Sequence, residues 1–229
     1  MDAASFVAGA RDMERASFTP VRTITDRPVA FATPLNKVMA FVLLLALSPL
    51  LLVVAVLIWR VDGAPILFAH YRVGYGGRLF RCMKFRTMRR DSQQVLAQLL
   101  QDDPAAREEW ARDQKLTNDP RITPIGRFLR NSSLDELPQL LNVLRGDMNL
   151  VGPRPITVEE LTRYGMVRWH YLSVPPGITG LWQVSGRNNT SYEERVALDA
   201  RYVDQRSMWG DIAILAKTVR VVITKEGAR

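Results

Sequence analysis

With one cysteine, Cys82, in 229 residues, the chain can form no intramolecular disulfide, and its two histidines leave no Cys/His set for a zinc centre. It has neither a GxxxxGK[ST] phosphate loop nor a GxGxxG turn after a strand, so the usual glycine cradles for nucleotides are excluded. Any nucleotide must be held by side chains and a metal. No internal repeat or low-complexity tract occurs. Acidic residues number 23 against 31 Lys and Arg, a formal charge of +8. That balance suits anionic lipid, nucleic acid or a phosphorylated substrate, and charge alone does not choose among them.

What the chain does have is one long uncharged apolar stretch, residues 38–58, about long enough to cross a bilayer. Its distance from Met1 and the lack of a small-residue cleavage pattern before Trp59 argue against removal as a signal peptide. Ser48-Pro49 lies at its centre. Proline removes a helix hydrogen bond, and the Ser48 hydroxyl is placed to satisfy the freed carbonyl. Two topologies fit: a kinked helix that spans, or a helix-break-helix that enters and leaves on one face. Arg22, Arg27 and Lys37 precede the stretch, and Arg60, Arg72, Arg78, Arg81 and Lys84 come after it, so both flanks have the positive character of cytoplasmic loops.

This divides the chain into a flexible arm (1–34), a membrane segment (35–60) and one catalytic domain (61–229), of α+β class and mainly helical. β-prone runs at 65–71 and 78–85 around Gly74, Gly76 and Gly77 predict a small hairpin. Residues 92–116 read as two helices divided at Pro104, and Pro120 and Pro124 mark a loop. Helices are also predicted over 134–144, 158–173, 192–205 and 209–224. The last spaces Ile212, Leu215, Val219 and Val222 along one face, with Trp209 and Lys225 near its ends; it either packs on the core or lies in a membrane interface.

The chemistry concentrates at Asp135-Glu136, with Arg130, Arg145 and Arg154 close in sequence. Ser133 and Glu136 have capping-box spacing, while Pro138 favours a cap at Asp135; either register puts Asp135 at a helix start, where the dipole keeps a carboxylate ionised for metal binding or attack. Arginine forks hold phosphate oxygens and stabilise a transferring phosphoryl group. A membrane-anchored adaptor would also explain the charge and the apolar stretch. A nucleic-acid-binding protein would explain the charge alone.

Four blocks go further: Lys84-Phe85-Arg86-Thr87-Met88; Ser133-Leu134-Asp135-Glu136-Leu137-Pro138-Gln139; Val151-Gly152-Pro153-Arg154-Pro155; and Pro176-Gly177-Ile178-Thr179-Gly180, with Gln183 and Gly186-Arg187-Asn188 after it. In this order they resemble the bacterial sugar transferase family, the monotopic phosphoglycosyl transferases, and within it the short exopolysaccharide-priming galactose or glucose phosphotransferases. The resemblance implies transfer of a sugar 1-phosphate from a UDP-sugar to undecaprenyl phosphate with release of UMP. It further implies Asp135 as the nucleophile of a covalent phosphosugar intermediate and a ligand of Mg²⁺, with Glu136 helping to bind or orient the metal or assisting the acceptor. Lys84, Arg86, Arg130, Arg154 and Arg187 would contact phosphates or the nucleotide sugar. It makes Ser48-Pro49 the break of a re-entrant membrane segment with amphipathic interfacial helices nearby, and puts the catalytic domain on the cytoplasmic face of the bacterial inner membrane, among phospholipid and other polysaccharide-assembly enzymes. Nucleic acid is not an expected partner.

Overall fold

A computed structural model describes residues 32–113, 116–186 and 190–224. Most of the expected arm lies outside these residues, as do Arg187 and Lys225. The described chain is mainly helical with two small two-stranded sheets, the class expected.

The apolar stretch forms α1 (Ala32–Asp62), a helix of 31 residues and so roughly 46 Å long at 1.5 Å per residue. Pro49 lies inside it. The proline lacks the N–H that would bond to the Leu45 carbonyl four residues back, and Ser48 Oγ donates to that carbonyl at 2.8 Å. In place of the expected pair of half-helices, the chain is one continuous helical element across Pro49, with the serine hydroxyl satisfying the carbonyl the proline leaves free. One stripe of α1 meets the rest of the molecule. Ala40, Leu44 and Leu47 join a core with Val143, Met148 and Leu150, and Leu51, Val54, Ala55 and Ile58 join another with Phe85 and Leu129. The remaining faces expose Phe41, Val42, Leu45, Leu52, Val53 and Val56, an apolar surface far larger than water tolerates without a partner. Both ends are tied down: Asn36 Oδ1 accepts from Leu150 N at 2.8 Å, and Arg86 donates to the carbonyls of Asp62 at 3.0 Å and Gly63 at 2.7 Å.

The predicted hairpin is present as β1 (Leu67–Val73) and β2 (Leu79–Phe85), antiparallel, with Phe68 opposite Lys84 and His70 opposite Cys82. Its turn uses Gly76 and Gly77 at positive φ. Buried Asn142 closes the other edge of β2: its side chain accepts from Met83 N at 3.0 Å and donates to Arg81 O at 2.8 Å. A helical side chain thus fixes the segment from residue 134 to 145 against the strand that carries Lys84.

The helical pair divided at Pro104 appears as α2 (Ser92–Asp102) and α3 (Pro104–Asp113). The expected loop around Pro124 is instead the start of α4 (Pro124–Ser132), with Pro124 in the first turn and Thr123 accepting from Gly126 N. Gly126 is required there, since a Cβ would stand 2.0 Å from the Thr87 carbonyl oxygen. Neither capping register at the carboxylate pair is realised. Ser133 is left-handed (φ 56°) and ends α4, and the chain continues as a 3₁₀ segment, Leu134–Gln139, that accommodates Pro138 before α5 (Leu140–Arg145).

Beyond it, β3 (Asn149–Val151) and β4 (Gly177–Thr179) pair in parallel. Gly152 and Gly177 approach so closely that a Cβ on Gly177 would meet Gly152 N at 2.1 Å, which seats the Pro153-Arg154-Pro155 turn. The single helix expected over 158–173 is broken at Gly165 (φ 52°) into α6 (Val158–Thr162), a 3₁₀ turn and α7 (Arg168–Leu172). α8 (Tyr192–Gln205) starts with a complete capping box, Ser191 with Glu194. In α9 (Met208–Thr224), Ile214 and Leu215 enter the core, while Met208, Trp209, Ile212 and Val219 are exposed.

Candidate active site

A left-handed residue and then a 3₁₀ turn set Asp135 and Glu136 against β2. Lys84 Nζ lies 2.7 Å from Glu136 Oε1 and 3.9 Å from Asp135 Oδ2. From the Pro153-Arg154-Pro155 turn, Arg154 reaches Glu136 Oε1 at 3.6 Å, its guanidinium also standing 5.7 Å from the Trp182 ring centre. Arg72, Cys82, Lys84, Glu136, Gln139, Arg154, Pro155 and Ile178 line a small cleft beside the pair. Its arginine and lysine donors have the chemistry that holds phosphate oxygens.

Asp135 is 8 % exposed. Burial pushes its carboxyl up to about 6, with Lys84, Arg130 and Arg154 pulling down and Glu136 adding to the rise. This differs from the expectation that a helix dipole alone would hold it low, since desolvation outweighs the short 3₁₀ turn. The acid is still ionised near neutral pH and more basic than an ordinary aspartate, which suits a nucleophile. Arg130, from the last turn of α4, donates through Nε to Thr87 Oγ1 at 2.9 Å, and its charge acts on Asp135.

The structure thus gathers Asp135, Glu136, Lys84 and Arg154, with Arg130 beside them. Arg86 faces elsewhere. It is 9 % exposed, pairs with Asp62 Oδ2 at 3.1 Å, and anchors the end of α1. Three contributors were not singled out from sequence: Arg72 and Cys82, which share the cleft-facing row of the hairpin with Lys84, and Thr87. Strand alternation would have found the first two once the register was known. Among the described residues no group of three or more His, Cys, Asp or Glu side chains gathers as a metal cage. The adjacent carboxylates nevertheless fit a magnesium ion, which takes one or two carboxylates and completes its shell with substrate phosphate and water.

The bacterial sugar transferase profile matches residues 29–225. Over 220 residues the chain is 44% identical to the exopolysaccharide production protein ExoY of Sinorhizobium fredii, covering 95% of this chain and 97% of that protein. It is 54% identical over 191 residues to the undecaprenyl-phosphate galactose phosphotransferase of Salmonella typhimurium, covering 83% of this chain and 40% of that one. To the UDP-glucose:undecaprenyl-phosphate glucose-1-phosphate transferase of Xanthomonas campestris it is 40% identical over 196 residues, covering 82% and 38%. The chain spans about two-fifths of the length of the last two relatives. Matched by that profile over most of its length, and by a relative of its own size almost throughout, the chain belongs to the bacterial sugar transferase family.

Proposed function

We propose that this protein transfers a hexose 1-phosphate, galactose or glucose, from a UDP-sugar to undecaprenyl phosphate at the cytoplasmic face of the inner membrane, priming an exopolysaccharide. The observation that carries the reading is the Asp135-Glu136 pair beside a cleft, with Lys84 reaching both carboxylates and Arg154 reaching Glu136. A carboxylate oxygen of Asp135 attacks the phosphorus nearest the sugar, the bond from that phosphorus to the UMP oxygen breaks, and UMP leaves. The acceptor phosphate then attacks the same phosphorus, the bond to Asp135 breaks, and a lipid-linked diphosphosugar forms with the carboxylate restored. Lys84, Arg130 and Arg154 neutralise phosphate charge as it redistributes, which is the main protein contribution to such transfers. Asp135 and Glu136 would hold Mg²⁺, which would supply neutralisation of the diphosphate charge.

The same reading keeps both ends of α1 on one face of the membrane, a re-entrant disposition. Its support is that Asn36 at one end and Asp62 at the other are both bonded to the polar domain, which cannot itself enter lipid. Pro49, by deleting one backbone donor, lets the helix bend there. The exposed apolar residues of α9 extend the same lipid contact.

UMP release by purified protein with Mg²⁺, undecaprenyl phosphate and a panel of UDP-sugars tests the function. Wild type is expected to release UMP with one preferred sugar, and Asp135→Asn to lose more than about 10³-fold in rate. Equal release by the variant would remove Asp135 from the mechanism. No release with any sugar would favour a membrane-anchored adaptor.

A further inference from the structure

The hairpin presents two faces, because directly paired residues of an antiparallel ladder share a side and successive residues alternate. One face carries Phe68, His70 and Arg72 on β1 against Lys84, Cys82 and Phe80 on β2. Arg72, Cys82 and Lys84 of this row line the cleft. Phe68 stands at the end of the same row, directly opposite Lys84, with its ring 6.4 Å from His70. Opposed side chains on one face have Cβ atoms about 5 Å apart, so the ring and the lysine that holds Glu136 leave the same face of the hairpin side by side. Yet Phe68 is 52% exposed, an apolar ring left open at the rim of a charged cleft.

This end of the hairpin is also the one nearest α1. Ile66 and Phe85 pack with Leu51, Val54, Ala55 and Ile58, and Arg86 is tied to Asp62. The exposed Leu57, Trp59 and Val61 of α1 lie on the last turns before that junction. Phe68 and the ammonium beside the proposed nucleophile thus share the end of the hairpin that joins the apolar helix. A nucleotide sugar offers such a ring only a base or sugar face, and the donor KM and the UMP burst test that contact separately. A polyprenyl phosphate has both a tail and an anionic head.

We propose that Phe68 is a binding residue for the acceptor: the first isoprene units lie against its ring while the phosphate head reaches Lys84. This rests on the function proposed above and adds to it a subsite for the lipid tail.

The test separates the two half-reactions. With undecaprenyl phosphate in detergent micelles, Phe68→Ala is expected to raise the acceptor KM about tenfold, the scale of one lost aromatic contact. The KM for UDP-sugar and the UMP burst released without acceptor should stay at wild-type values, which also reports an intact fold. Phe68→Leu, which keeps apolar bulk, should restore most of the acceptor affinity. Leu67→Ser, an exposed neighbour on the opposite face of the strand, should leave the acceptor KM unchanged. The proposal is overturned by an unchanged acceptor KM in Phe68→Ala, by an equal rise in Leu67→Ser, which would make the effect a general membrane contact, or by loss of the burst, which would place Phe68 with the donor. A wild type that releases no UMP takes the function and this subsite down together.

Discussion

Asp135 and Asp199 are both raised by burial but stand in different surroundings. Burial pushes both carboxyls up to about 6. Asp135 sits beside a cleft with Glu136 next to it in sequence and Lys84, Arg130 and Arg154 around it. Asp199, inside α8, is 1% exposed and accepts a hydrogen bond from the Tyr164 hydroxyl at 2.8 Å, with its other oxygen unpartnered among the described residues and Arg195 one turn earlier. Arg195 in turn pairs with Glu160 Oε1 at 3.4 Å and stands over Trp182. A raised carboxyl thus reports desolvation and nothing more. Arg154 acts on both carboxyls; what distinguishes the first is the adjacent Glu136, the lysine that reaches both acids and the cleft beside them, whereas the second is enclosed with Tyr164 in the packing of α8.

The sharpest way to break this comparison, after Asp135→Asn itself, is Lys84→Met. It removes the ammonium that reaches both carboxylates, and UMP release should fall by about 10²-fold in kcat/KM. The sign of its pH effect is fixed. As the proposed nucleophile Asp135 must be ionised, so wild-type kcat/KM is expected to fall as pH drops through about 6, and Lys84 is the strongest charge holding that carboxyl down. Without it the acid limb moves to higher pH, measurable between about pH 5 and 8. A limb that stays in place would mean that Asp135 is not the group titrating.

A smaller effect is expected from Thr87→Val, which keeps the shape of the side chain but removes the acceptor of Arg130 Nε. A partly buried guanidinium donor left unpaired costs about 1–3 kcal/mol, enough to loosen its aim at Asp135 and lower kcat by about tenfold. Thr87→Ser should recover the rate; failure of serine to rescue would show that the methyl packing matters and the hydroxyl does not.

The smallest effect on turnover belongs to the second aspartate. Tyr164→Phe deletes the hydroxyl on Asp199. It should lower the melting temperature by several degrees while kcat/KM stays within about twofold. Loss of activity with unchanged melting would make Asp199 part of the site and erase the distinction.

Much of the fold was legible because its signals are local. The hairpin has strand-forming runs around paired glycines, α8 has its capping box, and α2 and α3 divide at Pro104. The errors are local signals overruled. Pro120 and Pro124 looked like one loop, yet Pro124 with Thr123 before it is also a helix start. Ser133 and Glu136 have capping spacing, but Ser133 turns left-handed to end α4, and Glu136 turns to Lys84 instead. Arg86 looked like a phosphate ligand by its motif, and the tertiary structure sets it on the carbonyls that end α1.

By itself the sequence determined the apolar helix, the carboxylate pair and the surplus of cations, since hydropathy, adjacency and charge are properties of residues and their near neighbours. Which cations meet which carboxylate was decided only in three dimensions. Lys84 and Glu136 are 52 positions apart, and they touch because the hairpin register puts Lys84 on the cleft face and Asn142 clamps the carboxylate-bearing segment to that strand. Long-range register, burial and the desolvation that tunes Asp135 arise from packing, and no local pattern encodes them.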